Sequence, residues 1–302
     1  MRVFVTGASG HIGSAVVPEL LAAGHSVVGL ARSESSAAAL TTAGAEVRRG
    51  TVDDLDVLRE AAAAADGVIH LAFKHDVAFS GGYEVAASAD LRVVEAIGDA
   101  LAGSGKPFVV TSGTAFLGRL GLGRAGTETD LLDGGPRIDA ENLAIALAAR
   151  GVRSSVVRLP PTVHSSLDRQ GFVPSLVALA RKSGRAVYVG DGVNRWPAVH
   201  TLDAARVYRL ALESAPAGSR LHAVADEGVA FREIAAAIAR GLGVPVAGID
   251  ANAAAEQLGF LGGFVQIDNP TSSARTRELV RWQPEHPGLL ADLAERHYFE
   301  PR

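Results

Sequence analysis

The chain has 302 residues, 48% hydrophobic and 21% charged, with a formal net charge of −4, enough length and apolar content for a large core without covalent staples. It contains no cysteine, which excludes disulfides, thiolate nucleophiles and cysteine-held metals, and its nine histidines form no HExxH-type pair, so no metal is expected. No block of Lys or Arg, no bilayer-length apolar run and no signal-peptide core ahead of Met1–Thr6 are present, so we expect a cytoplasmic protein without nucleic-acid or membrane partners.

In chain order, the apolar run Val3–Val5 leads into Gly7-Ala8-Ser9-Gly10-His11-Ile12-Gly13, and a helical pattern follows over residues 11–23, with Pro18 expected to bend it mildly. Further strand patterns fall at Ser26–Leu30, Glu46–Arg48, Gly67–Leu71, Phe108–Thr111, Ser154–Val157 and Leu221–Ala223. Helical patterns lie between them near 53–65, 84–103 and 137–150, with Gly24 and Gly151 placed to end two of these helices. Strand and helix in alternation predict an α/β protein with a doubly wound parallel sheet. After about residue 160 Pro and Gly become frequent, and helices near 201–214, 230–241 and 275–281 no longer alternate simply with strands. The expected division is a dinucleotide-binding unit over 1–165, completed by about 195–225, and a smaller substrate lobe from 166–194 and 226–302.

The glycine loop follows a strand and opens a helix. Glycines there let the backbone turn tightly and approach a phosphate, while the helix N-terminus offers free N–H groups and a positive dipole end. The expected pyrophosphate ligands are Gly7, Ser9, Gly10, His11, Ile12 and Gly13. At the end of the second strand an NAD site carries an acid for the ribose hydroxyls. This chain reads Leu30-Ala31-Arg32-Ser33, and Arg32, with Ser33 beside it, suits a 2′-phosphate. NADP(H) is therefore the expected cofactor, ahead of NAD(H).

These segments resemble the extended and atypical branch of the short-chain dehydrogenase/reductase superfamily, the NAD-dependent epimerase/dehydratase-like proteins, over nearly the whole chain. Gly7–Gly13 matches the TGxxGxxG loop, and His70-Leu71-Ala72-Phe73 is similar to the segment after the fourth strand whose backbone lines the cofactor. Val110-Thr111-Ser112-Gly113-Thr114 resembles the segment after the fifth strand, and Arg158-Leu159-Pro160-Pro161-Thr162-Val163 the one beside the nicotinamide. Trp196–His200 and Arg277–Pro284 resemble segments of the C-terminal lobe. The resemblance implies a Rossmann fold and cofactor contacts from Leu71, Ala72, Phe73, Thr111, Pro160 and Val163. Gly50-Thr51-Val52 stands where the family has Gly-Asp-hydrophobe, so Thr51 and Val52 are expected at the adenine, and Asp53 and Asp54 are expected to start a helix.

The family's catalytic YxxxK pair is absent. Its slots fall on Asp133 and Arg137, in Asp133-Gly134-Gly135-Pro136-Arg137, and its second Ser falls on Gly113, between Ser112 and Thr114. Pro136 is expected at the first helical position, and an Asp beside an Arg stays ionised and donates protons poorly. Ser112, Thr114, Asp133 and Arg137 remain the candidate catalytic residues. Arg137 has two readings, a bond to the nicotinamide ribose in the manner of the family's Lys, or a pair with Glu141. None of the four tyrosines, Tyr83, Tyr188, Tyr208 and Tyr298, has a Lys four residues on, and of these Tyr83 precedes a helix within reach of the cleft. His75, Asp76 and His164 follow strands on the side where substrates bind, and His200 is expected to order the loop before Thr201.

The reading that accommodates these features is an NADP(H)-dependent oxidoreductase acting on a small organic carbonyl, alcohol or imine, working as a monomer or homodimer. A non-catalytic NADP-binding sensor or regulator is the alternative. A sugar-nucleotide epimerase or dehydratase ranks third, because that chemistry leans hardest on the missing Tyr and Lys.

Overall fold

The computed structural model describes residues 1–300. Its strands are β1 Arg2–Thr6, β2 Ser26–Ala31, β3 Glu46–Arg49, β4 Gly67–His70, β5 Pro107–Gly113, β6 Arg153–Leu159, β7 Thr162–His164, β8 Ala186–Val189, β9 Arg195–His200, β10 Ser219–His222, β11 Asp226–Ala230 and β12 Val246–Ile249. Seven of them form one parallel sheet in the order β10-β6-β5-β4-β1-β2-β3. The order reverses between β1 and β4, and the crevice above that point is where open α/β sheets bind ligands. The main helices are α1 Gly13–Ala22, α2 Glu34–Thr42, α3 Leu55–Ala64, α4 Tyr83–Leu101, α5 Ile138–Ala146, α6 Phe172–Ser183, α7 Thr201–Ser214, α8 Phe231–Leu242 and α9 Ala274–Val280.

Both faces of the sheet are covered, which is why its strands carry unbroken apolar runs. On one face Val3, Val5 and Val157 pack with Val16 and Leu20 of α1 and with Tyr208 and Leu212 of α7. On the other, Phe4, Val68 and Phe108 pack with Leu58, Val94, Ile97 and Ala144 from α3, α4 and α5. A separate core joins Val173, Leu176, Trp196, Phe231 and Ile234 around two small sheets, β11-β9-β7 and β12-β8. No helix among the described residues is long and apolar enough to cross a membrane.

The seven expected strands form the sheet. The sequence reading missed α2, whose buried face is only Ala37 and Leu40 and so leaves almost no apolar period. It also placed the start of α5 two residues too early. Arg137, not Pro136, borders the helix, in a left-handed conformation with φ 68°. The cause is local: Asp139 Oδ1 accepts from the Gly135 amide at 3.0 Å, while the Ile138 and Asp139 amides donate back to the Gly135 carbonyl at 2.9 and 3.0 Å. That reciprocal turn swings the chain through Arg137 before helical geometry begins.

Candidate dinucleotide and substrate site

The glycine loop is built by close backbone approach. Gly7, at φ 67°, lies so near the end of β4 that a Cβ would sit 2.7 Å from the Ala72 amide nitrogen. A Cβ on Gly13 would lie 2.2 Å from the Gly7 carbonyl oxygen, so the first turn of α1 rests directly on the loop. Gly10 donates to the Gly7 carbonyl at 3.0 Å. Among the described residues the amides of His11 and Ile12 have no acceptor, as expected of a helix N-terminus awaiting an anion. The His11 ring faces away from this opening, with Nε2 on Thr201 Oγ1 at 2.9 Å and Nδ1 3.7 Å from Asp168. Burial first, and His164 second, lower its pKa to about 4, so it is neutral at pH 7 and ties the loop to α7.

Beneath the loop lies a buried relay that the sequence reading did not pick out. The Ala72 amide donates to Thr6 Oγ1 at 3.3 Å, Thr6 Oγ1 contacts His70 Nδ1 at 2.6 Å, and His70 Nε2 contacts Asp90 Oδ1 at 3.0 Å. These bonds fit a Thr6 hydroxyl donating to Nδ1 and an Nε2–H donating to the carboxylate. The relay locks Leu71-Ala72-Phe73 at the switch point. Only the HLA-like string hinted at it.

At the β2 tip, the Arg32 side chain is 76% exposed and 4.0 Å from Asp76. Arg49 of β3 is a second cation at this corner, donating to the Ser33 carbonyl at 3.0 Å and pairing with Glu34. The Ser33 hydroxyl is occupied: it accepts from the Ser36 amide at 3.1 Å and caps α2. Ser33 is thus already spent on helix capping. Thr51 is spent too, since its hydroxyl and amide both donate to Asp54, at 2.9 and 2.7 Å. Asp54 borders α3 without a side-chain cap, and Asp53 pairs with Lys74 at 2.7 Å. Both acids stand directly ahead of α3, which begins at Leu55 with Asp54 as its N-terminal border residue, as expected. Val52, after the turn, packs against the α3-side core.

The four candidate catalytic residues do not meet. Ser112 is buried beside Glu141, and its hydroxyl has no hydrogen-bond partner among the described residues. Thr114 is wholly buried and accepts from Asn269 at 3.0 Å. Thr111 donates to the His70 carbonyl at 2.7 Å and contacts the Tyr208 hydroxyl at 2.9 Å. Asp133 is exposed in the loop before α5, its carbonyl accepting from Asn142 at 3.4 Å. His164 is fully buried in β7 on Asp292, at 2.9 Å, rather than in a loop. Pro160 and Val163 are buried where β6 passes into β7. His200 caps α7, accepting from the Leu202 amide at 3.3 Å.

Arg137 does not pair with Glu141. Burial alone would raise the Glu141 pKa, but Arg158 bonds it in bidentate fashion, at 2.6 to 3.1 Å, and holds it lower, with Arg220 adding a bond at 2.7 Å. Arg137 instead lies over the Phe73 ring, its guanidinium carbon 4.0 Å from the ring centroid. Its Nε is buried without an acceptor. The side chain is close enough to depress His75, whose pKa falls to about 4 through burial first and the Arg137 charge second. It also acts on Tyr83, where burial raises the phenol pKa and Arg137 opposes that rise. A cation, a neutral imidazole and a phenol thus share the end of β4 around Phe73.

The comparisons agree with this geometry. The model of the family described as "NAD dependent epimerase/dehydratase family" matches residues 3–224. An uncharacterized protein of Schizosaccharomyces pombe is 47% identical over 301 residues, covering 99% of this chain and all of that one. The 2′-dehydrokanamycin reductase of Streptomyces kanamyceticus is 30% identical over 263 residues, 85% of this chain and 72% of the reductase. Among solved structures, the dTDP-glucose 4,6-dehydratase of Streptomyces venezuelae, with NAD and TYD bound, superposes with a TM-score of 0.79 at 20% identity, covering 98% and 96% of the two chains. With its switch-point glycine loop, its parallel sheet order and a family match over most of its length, this chain belongs to the NAD dependent epimerase/dehydratase family.

Proposed function

We propose that the protein is an NADP(H)-dependent oxidoreductase acting on a small organic carbonyl, alcohol or imine. The observation that carries this is the pair of acceptor-free amides, His11 and Ile12, in a glycine loop that admits no Cβ at Gly7 or Gly13. Gly7, Ser9, Gly10, His11, Ile12 and Gly13 would hold the pyrophosphate. Arg32, with Arg49 in the role first given to Ser33, would hold the 2′-phosphate. Val52, Leu71, Ala72, Phe73, Pro160 and Val163 would line the rest, and Thr111 would act only through the strand end it braces. Bound there, the cofactor supplies a hydride or accepts one. Residues 166–194 and 226–302 would form the substrate lobe over a dinucleotide-binding unit of 1–165 and about 195–225.

For the chemistry, Thr114 is held by Asn269 and Asp133 is exposed, while Ser112, buried with an unpartnered hydroxyl, and Arg137 remain. The buried, acceptor-free Nε and fixed charge of Arg137 suit it to stabilise negative charge growing on a substrate oxygen. Tyr83, beside it, is the phenol best placed to exchange the proton. Its burial keeps the proton on, and the Arg137 charge eases its departure. A non-catalytic NADP sensor is the second reading, favoured by the empty Tyr and Lys slots.

The test is a fluorescence titration with NADPH and NADH, followed by NADPH consumption against a carbonyl panel. NADPH should bind at least about tenfold more tightly than NADH, and Arg32→Glu should erase the preference. Arg137→Met should lower turnover by about 100-fold while leaving the dinucleotide affinity nearly unchanged. Failure to bind either dinucleotide overturns the proposal. Tight binding without turnover of any carbonyl favours the sensor.

A further inference from the structure

A continuous run of aromatic rings leaves the Arg137–Phe73 site and crosses to the small lobe. Phe73 meets His75 edge-on at 5.1 Å, and His75 meets Phe79 at 5.5 Å. Phe79 stacks on Phe260 at 4.7 Å with only 22° between the rings. Both contact Phe172, each at 6.3 Å, and Phe172 meets the buried Trp196 at 5.8 Å. Of the inner rings, Trp196 is buried core and Phe73 and Phe172 are half-buried, whereas the stacked pair lies open, with Phe79 40% exposed and Phe260 45% exposed.

The backbone under that pair is unusual on both sides. Phe79 sits at a kink between two helical segments, Ala78–Gly82, where Ser80 leaves helical geometry and Gly81 has φ 95°. Phe260 directly follows Gly259 at φ 58° and ψ −133°, a region that essentially only glycine occupies. Glycines in such conformations are natural hinges. The rings therefore stand on two short segments far apart in sequence, which meet through their side chains beside His75 and Phe172.

We propose that the substrate is a planar, largely apolar molecule, an aromatic or conjugated carbonyl compound, which enters by parting Phe79 from Phe260 and stacks in their place. Flat aromatic walls recognise flat π-systems by offset or edge contact, and apolar walls with few polar groups are the usual build of small-molecule sites. The polar groups at the inner end, Arg137, Tyr83 and the neutral His75, are enough for one carbonyl oxygen. Phe79, Phe260 and Phe172 offer no donors for a sugar's hydroxyls or a diphosphate. This inference deepens the oxidoreductase reading and rests on its placement of the substrate site.

The test reads binding rather than turnover. Saturation-transfer NMR is run with benzylideneacetone, a conjugated aryl ketone, and with UDP-glucose, while NADPH is titrated on the same samples. The ketone should bind saturably and UDP-glucose should not. Phe79→Ala and Phe260→Ala should each weaken the ketone at least tenfold, Phe79→Tyr should restore it, and NADPH affinity should hold in all three. Thermal unfolding of each variant confirms that it is folded. Binding of UDP-glucose without the ketone, binding of neither ligand, or ketone binding indifferent to both alanine variants overturns the substrate class. If NADPH alone fails to bind, the cofactor reading falls while the aromatic site stands.

Discussion

The two ends of the cleft are built in opposite ways. The glycine-loop end is made of backbone: its required features are glycines, amide directions and a helix N-terminus, fixed within seven consecutive residues. The Arg137 end is made of side chains brought together from far apart, with Phe73 and Tyr83 flanking the β4 exit and Arg137 before α5. Backbone sites are hard to alter without destroying them, because each atom is also part of the fold. Side-chain sites change more easily, since one side chain can be replaced while the backbone beneath it stays in place.

What keeps the Arg137 end in order is a buried ion pair, and breaking it is the largest expected effect. Glu141 and Arg158 each keep only 1% of side-chain surface, and Arg158 also reaches the Asp130 carbonyl at 3.0 Å and His222 at 3.3 Å. Removing the charge of one partner leaves the other desolvated and unmatched. Glu141→Gln should therefore cost about 3–5 kcal/mol, read as a lower denaturation midpoint in urea. A loss below about 1 kcal/mol would mean that the remaining amide oxygen and solvent satisfy Arg158 and Arg220, and that this end is less dependent on its frame than the contrast implies.

The matching test at the backbone end is Gly13→Ala. One methyl group would lie 2.2 Å from the Gly7 oxygen and 2.5 Å from the Ala8 oxygen, and both atoms belong to the main chain and cannot rotate aside. The loop must open, and its free amides then lose their common aim. Dinucleotide affinity should drop by about 100-fold, or roughly 2.7 kcal/mol, measured by calorimetric titration. Near-normal affinity would show the loop to be more pliable than its contacts allow.

The same contrast explains what was legible in the sequence. The sheet, its helices and the glycine loop are written in local periodicity and in the strand–glycine–helix order, so they were read without structure. Arg32 was legible as a missing acid at a fixed place. What was not read from the sequence is that the Ser33 and Thr51 hydroxyls serve turns, with Ser36 and Asp54, each three residues away. A Ser-x-x-Ser cap ahead of α2 was a usable signal, since both serines are in view. Of the two readings of Arg137, the pair with Glu141 fails for a less local reason. Glu141 is taken by Arg158, which lies 17 residues further along, and by Arg220 on β10's edge of the sheet. No spacing rule along one helix contains that competition. The Thr6–His70–Asp90 relay spans 84 residues of chain and was equally hidden.

The smallest expected effect concerns how the side-chain frame responds to acid. His222 is fully buried, with Nδ1 on the Ser272 carbonyl at 2.8 Å and Nε2 facing the Arg158 guanidinium at 3.3 Å. A guanidinium only donates, so Nε2 accepts and the proton sits on Nδ1. Burial chiefly, with Arg158 also opposing a second positive charge, lowers the pKa from 6.5 to about 4. The unfolded chain then binds more protons than the native one between those two values. His222 thus contributes its full stability above about pH 6.5 and loses it as pH falls toward 4, at no more than about 1.4 kcal/mol per pH unit. His11 and His200, also lowered to about 4, add to the same slope. In thermal unfolding from pH 7 to pH 5, His222→Gln should flatten the decline in melting temperature without abolishing it. An unchanged slope would mean that His222 accepts a proton without disturbing Arg158, and that the frame holding the Arg137 end tolerates charge more readily than its geometry implies.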